Sequence, residues 1–281
     1  MSIEIRNLTH VYAKDTAFEK RALDNISFTI NTGEFFGIIG HTGSGKSTLI
    51  QHFNSLLKPD SGEILIDGQN INTNKESIKI SRQKAGLVFQ YPEHQLFETT
   101  VFKDVAFGPS NMKLPQEEVS RRVKKALKLV GIEENLYEKS PFDLSGGQKR
   151  RVAIAGVLSM EPDILILDEP TAGLDPKGRE EILGSISALH KSLNNTVIIV
   201  SHTMEDIAKY TDRLAVLDKG RLKYIGSPQE VFRNAEELEK IGLAAPQISY
   251  LIKKLNHQGF HLSEDIYTVE EAAEAIMKEI Q

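Results

Sequence analysis

The sequence predicts an α/β fold: a mixed, largely parallel sheet around a phosphate-binding loop. Three apolar runs carry that reading. Phe35–Ile39 leads into Gly40-His41-Thr42-Gly43-Ser44-Gly45-Lys46-Ser47-Thr48; Ile164–Leu167 ends in Asp168 and Glu169; Thr196–Val200 delivers Ser201 and His202. Ligands of open α/β sheets gather at the carboxyl ends of the strands, so the three ends are expected side by side.

The spacing Gly40-x-x-x-x-Gly45-Lys46-Ser47 lets backbone N–H groups converge on a nucleotide's phosphates, and the following helix points its N-terminus at the same anion. Lys46 is expected to reach the β and γ phosphates, and the Ser47 hydroxyl to ligate Mg²⁺. A flexible glycine turn would not need the flanking strand and helix.

Composition limits the alternatives. A chain of 281 residues, 40% hydrophobic, can bury a large core. Its 34 basic and 39 acidic residues give a net charge of −5, which predicts no general nucleic-acid-binding field. With zero cysteines it has no disulfides or thiolate metal sites. No apolar run approaches the roughly 20 residues that span a bilayer, and Met1–Glu4 starts no secretory signal. Work at a membrane would require a partner.

In chain order, Ile3–Leu8 alternates as a half-exposed strand, and Leu23–Ile30 gives a second, ending at the turn Asn31–Glu34. Between them Tyr12 serves equally as a ring for stacking a purine or as a rim tyrosine. Ser47–Leu57 reads as a helix stopped at Pro59, Glu63–Ile66 as a strand, and Asp67-Gly68 as a tight turn. Residues 70–81 are polar and carry little signal. The strand Ala85–Phe89 ends at Gln90, whose carbonyl oxygen could ligate Mg²⁺ or a water.

From Tyr91 to Pro109 apolar and polar residues interleave without a strand period, Leu96, Phe97 and Phe102 among them. They fit a small subdomain core or a groove for a partner helix. Val119, Val123, Ala126, Leu127 and Val130 mark one face of a helix over 116–130. Residues 91–160 thus read as a helical insertion between strands. It closes with Leu144-Ser145-Gly146-Gly147-Gln148, a second Gly-rich helix N-terminus equipped to bind an anion; such a string is rare by chance.

Asp168 and Glu169 follow a wholly apolar strand, where two carboxylates are costly without a partner. Asp168 is expected to hold Mg²⁺, and Glu169 to orient or deprotonate the attacking water. Asp175, before Pro176, reads as a helix cap. His202 is placed to donate to a γ-phosphate. Arg213–Leu217 and Arg221–Ile225 complete the sheet.

Taken together, Tyr12, Gly40–Thr48, Gln90, Leu144–Gln148, Ile164–Glu169 and His202, in that order, resemble the ATP-binding-cassette (ABC) family over about residues 3–230. The resemblance implies a RecA-like mixed sheet core with an antiparallel β subdomain and a helical subdomain. It implies that Tyr12 stacks on the base, that Gly40–Thr48 and Gln90 bind ATP, and that Ser47, Gln90 and Asp168 hold Mg²⁺. Glu169 is then the catalytic base and His202 the γ-phosphate switch. A dimer is implied as well: two helix N-termini built for one phosphate can both act only from opposite sides. Ser145, Gly146, Gly147 and Gln148 would then serve the partner's ATP, with Asp175 a dimer contact.

The strings Phe18–Leu23, Val88–Glu93 with Gln95-Leu96-Phe97, and Ala172–Asp175 are similar to the second ATPase subunit of energy-coupling-factor transporters. That similarity implies a related partner ATPase, a membrane coupling protein (T component) and a substrate-capturing membrane protein (S component), with the chain peripheral at the cytoplasmic face of the membrane. Leu96, Phe97 and Phe102 would line the groove for the coupling helices. Ala172-Gly173 departs from the Ser-Ala common before Leu-Asp in the wider family, which weakens transfer of dimer-contact detail.

Residues 1–230 form the expected ATPase domain and 231–281 a helical extension. Pro228–Phe232 starts a helix, Ile248, Leu251, Ile252 and Leu255 repeat at helical spacing, and Thr268–Glu271 offers a capping box. The tail is an added packing layer or a contact with the paired ATPase. Another ABC transporter type is the nearest alternative function. A soluble cassette ATPase of translation or DNA repair fits less well, because the chain has neither a second cassette nor a long coiled-coil insertion. A non-hydrolysing binder has no need of Glu169 and His202.

Overall fold

The structure, a computed structural model, describes residues 1–280. Its strands are β1 (Ile3–Tyr12), β2 (Lys20–Ile30), β3 (Phe35–Ile39), β4 (Ser61–Ile66), β5 (Gln69–Asn70), β6 (Ala85–Val88), β7 (Ile164–Asp168), β8 (Thr196–Val200), β9 (Arg213–Asp218) and β10 (Arg221–Gly226). The helices are α1 (Lys46–Phe53), α2 (Lys75–Lys84), α3 (Val101–Asn111), α4 (Gln116–Leu129), α5 (Gly146–Leu158), α6 (Pro176–Leu193) and α7 (Met204–Tyr210). The tail adds α8 (Pro228–Phe232), α9 (Ala235–Lys240), α10 (Gln247–His257) and α11 (Val269–Ile280).

Six strands form one sheet in the order β10-β9-β3-β8-β7-β6, parallel except for β10. The other four form an antiparallel sheet, β2-β1-β4-β5. Successive side chains of a strand point to opposite faces, so apolar runs without polar breaks must be covered on both sides. Phe35, Leu165, Leu167, Val197 and Ile199 join the core formed with α3–α6. Their neighbours Phe36, Ile164, Ile166, Ile198 and Val200 join the core formed with α1 and the antiparallel sheet.

Register fixes the site edge. Val200 lies opposite both Ile38 and Asp168, and Leu167 lies opposite Val88. The chain therefore leaves β3, β8, β7 and β6 at one level, and Gly40, Ser201, Glu169 and Gln90 follow there.

Several expected boundaries move. β1 runs on to Tyr12, which places that ring on a strand. α1 stops at Phe53 rather than Leu57, because Ser55 turns left-handed (φ 55°) and its hydroxyl donates to the carbonyl of Ile71. The polar stretch 70–81 holds most of α2, capped by a box between Asn74 and Ser77. Val231, Phe232, Ala235, Leu238 and Leu243 of the tail belong to the main core. Only Ile252, Leu262, Ile266 and Ala272 form a separate cluster. Leu251, expected on the apolar face of α10, is exposed.

Candidate nucleotide site

The loop from Gly40 to Ser47 is shaped by contacts that exclude side chains. A Cβ on Gly40 would lie 2.4 Å from the Leu217 carbonyl oxygen, and one on Gly45 would lie 2.6 Å from that of Ala22. Gly45 also takes a left-handed φ of 104° at the start of α1. Lys46 is buried, and its Nζ donates to the carbonyls of Gly40 (2.6 Å) and His41 (3.1 Å). Burial lowers its pKa, opposed by the nearby Glu169 and Asp168 carboxylates. His41 pairs with Asp218 at 3.0 Å, and Thr42 and Gly43 form the rim of the loop. Ser44 is buried, with a hydroxyl that has no hydrogen-bond partner.

Asp168 ends β7, 6% exposed, with the Ser47 side chain beside it. Burial raises its pKa, the Ser47 hydroxyl opposes the rise, and Glu169 beside it adds to it. Glu169 takes a left-handed φ of 49°, uncommon for a residue with a side chain and typical of a position held by its surroundings. Its carboxylate lies between two partners: Gln90 Nε2 donates to Oε2 at 2.9 Å, and His202 Nε2 stands 2.5 Å from Oε1. The strand order explains this convergence, since β7 lies between β6, which leads to Gln90, and β8, which leads to His202.

Tyr12 is 40% exposed beside the loop, its hydroxyl 3.2 Å from that of Thr48. His10 meets the ring edge-on at 4.6 Å, and the buried His52 of α1 meets His10 at 4.8 Å.

Ser145 and Gln148 form a capping box at the start of α5. The Ser145 hydroxyl accepts from the Gln148 amide at 3.3 Å, and the Gln148 side chain accepts from the Ser145 amide at 3.0 Å. A Cβ on Gly146 or Gly147 would meet nothing within 4 Å, so this chain's own packing does not require glycine at either position. Asp175 caps α6, accepting from the Gly178 amide at 3.0 Å.

The stretch after Gln90 builds a groove of about 920 Å³ between α2, α3 and α5. Phe97 and Phe107 stand exposed at its wall, ring to ring at 5.0 Å, above Leu96, Val157 and Met160. Phe102 is not part of the lining: it packs against the main core. Its place is taken by Phe107, five residues further along α3, which is about 140° around the helix and thus on a different face.

Sequence reasoning passed over Glu93 and Arg150, which pair through two hydrogen bonds beside the site. The only local signal of Arg150 was a basic run after Gln148, which reads as a solvated face, and Glu93 stood in the string Val88–Glu93 without a role of its own.

A family profile described as ABC transporter matches residues 23–172. The chain is 58% identical to the energy-coupling factor transporter ATP-binding protein EcfA2 of Clostridium tetani, over 99% of this chain and 97% of that protein. Among solved structures it resembles cbiO1 of Clostridium perfringens, described as part of the ABC transporter complex cbiONQ, with a TM-score of 0.76 and 45% identity. That match covers 89% of this chain and 98% of the other. An ATP-binding cassette in a dimeric post-hydrolysis state bound to ADP and Pi matches with a TM-score of 0.72 and 32% identity, over 80% of this chain and 98% of that one. The phosphate loop, the paired carboxylates and these likenesses agree: the chain belongs to the ABC transporter family, as an ATP-binding subunit of an energy-coupling factor transporter.

Proposed function

We propose that the chain hydrolyses ATP at a site it shares with a related ATPase, and that the cycle of closing and reopening drives uptake of vitamins or other micronutrients through membrane partners. The observation that carries the reading is the Glu169 carboxylate, aimed by Gln90 and His202 beside the phosphate loop. Tyr12 stacks on the adenine, and the backbone amides of residues 40–48 hold the phosphates with Lys46.

Ser47, Asp168 and Gln90 offer hydroxyl, carboxylate and amide oxygens, a donor set that suits Mg²⁺. Ser47 and Asp168 lie side by side, which brings two of these donors together. Mg²⁺ brought in on the nucleotide would neutralise charge on the phosphates. Glu169 takes a proton from the water that attacks the γ-phosphorus while the bond to ADP breaks. His202 steadies that carboxylate and reaches the γ-phosphate.

The open space around Gly146 and Gly147 leaves the N-terminus of α5 free to close over the ATP of a partner subunit, with Asp175 at the same interface. The groove at Leu96, Phe97 and Phe107 receives a helix of the membrane coupling protein, and a separate membrane protein captures the substrate. The chain works as a peripheral subunit at the cytoplasmic face of the membrane; none of the described helices is long and apolar enough to cross it. In this reading residues 1–230 are the ATPase domain and the remainder its extension.

Replacing Glu169 with Gln tests the assignment. The purified complex should still bind ATP but lose about a hundredfold or more in phosphate release, the scale of a general base; hydrolysis at the full rate would refute the role.

A further inference from the structure

Arg150, on α5 two residues beyond Gln148, is 3% exposed. A guanidinium at that depth is costly unless it is fully paired. Its Nε and Nη2 donate to the two carboxylate oxygens of Glu93 at 3.0 and 2.7 Å. Its Nη1 donates to the carbonyl of Ala172 at 2.5 Å, and its Cζ lies 5.8 Å from the centre of the Tyr91 ring.

These contacts close a ring with the site. The Ala172 amide donates to the Glu169 carbonyl at 3.1 Å, and the Glu169 side chain accepts from Gln90. Gln90 is joined through Tyr91 and Pro92 to Glu93. Tyr91 (φ 53°) and Glu169 (φ 49°) both hold left-handed backbones within the ring, so its shape is maintained against local preference. The ring also reaches the groove, because Glu93 lies in the 3₁₀ turn Pro92–Gln95 that runs directly into Leu96 and Phe97. Three segments thus meet on one side chain: the groove-bearing turn, the helix that starts at Ser145–Gln148, and the loop between Glu169 and Asp175.

We propose that Arg150 is a positioning residue that ties these segments into one unit, so that a shift of the groove re-aims the Glu169 carboxylate. The proposal rests on Glu169 being the base. It requires the arginine fork in particular: lysine keeps the charge but offers a single ammonium, which cannot hold both the Glu93 carboxylate and the Ala172 carbonyl in fixed geometry.

The test is ATP hydrolysis by the assembled complex, purified with its membrane partners, measured as a function of ATP concentration. Arg150→Lys and Glu93→Gln should each lower kcat about tenfold while leaving KM for ATP within about twofold. Glu93→Gln leaves the buried guanidinium without its counter-charge and Arg150→Lys leaves the Ala172 carbonyl without its donor, so each lowers the melting temperature; kcat is therefore compared well below the lower melt, where both complexes are folded. Arg150→Lys combined with Gln90→Ala should be no slower than the slower single variant, since both break one ring. A purely structural Arg150 would act independently of Gln90, and the effects of the two substitutions would multiply. The proposal is overturned by Arg150→Lys at full kcat, by a loss of rate that appears in KM instead of kcat, or by multiplying effects in the double variant. Glu169→Gln separates the two readings: full activity there removes the base, whereas an inactive Glu169→Gln beside a fully active Arg150→Lys removes only the tie.

Discussion

Gln90 and Glu169 leave neighbouring strands, and the Gln90 side chain donates to the Glu169 carboxylate at 2.9 Å. A hydrogen bond to a charged group is worth about 1.5–3 kcal/mol. Gln90→Ala should therefore slow hydrolysis by about 10–100-fold at saturating ATP, with little change in KM. Steady-state kinetics on the complex checks the split between kcat and KM.

Tyr12 presents an open ring face beside the loop. Base–aromatic stacking is worth about 1–3 kcal/mol, so Tyr12→Ala should weaken ATP binding by about 10–100-fold. Tyr12→Phe should stay near the unmodified affinity, losing only the contact with Thr48. Titration with a fluorescent ATP analogue distinguishes the two.

Gly146 has no neighbour in its own chain where a methyl group would fall. Gly146→Ala should raise the melting temperature of the isolated chain by about 1–3 °C, because alanine favours the helix. Hydrolysis should nevertheless fall about tenfold or more if a partner's nucleotide packs there. Thermal melts and phosphate release, measured on one preparation, check both.

The exposed pair Phe97 and Phe107 has no structural duty comparable to that of buried Leu96. Phe97→Ser with Phe107→Ser should leave ATP binding by the isolated chain unchanged. Retention of the membrane proteins during purification should drop about tenfold or more, given about 1.5–3 kcal/mol for each buried aromatic. Band intensities after affinity capture give the readout.

His52 supplies a pH dependence. Burial, with the Thr48 backbone bond opposing it and His10 adding to it, lowers its pKa to about 4. The unfolded chain protonates this ring near its ordinary value of about 6.5. The neutral folded form is therefore favoured above pH 6.5, and that stability is lost as pH falls towards 4, up to about 3 kcal/mol in all. Between pH 7 and pH 4.5 the melting temperature of His52→Gln should fall less steeply than that of the unmodified chain.

Local chemistry made much of the site legible in the sequence. A phosphate loop works through backbone amides and a few adjacent side chains, so Gly40–Thr48 announces itself without knowledge of its surroundings. Asp168, Glu169 and His202 were legible because each follows an apolar strand, and parallel strands in one sheet deliver their ends to one edge. The box between Asn74 and Ser77 could have revealed α2, but a polar helix leaves no apolar stripe to find.

The sequence by itself determined the sheet, the nucleotide loop and the residues that the strand ends carry. Only the tertiary structure decided which neighbours those residues meet. Arg150 lies between Lys149 and Arg151 in a uniform basic run, yet it alone is deeply buried, because Glu93 and Ala172, far away in sequence, close over it. Phe102 and Phe107 are alike as residues, but α3 turns one into the core and the other into the groove. Periodicity shows that a helix has an apolar face; what covers that face depends on contacts between segments the sequence keeps apart.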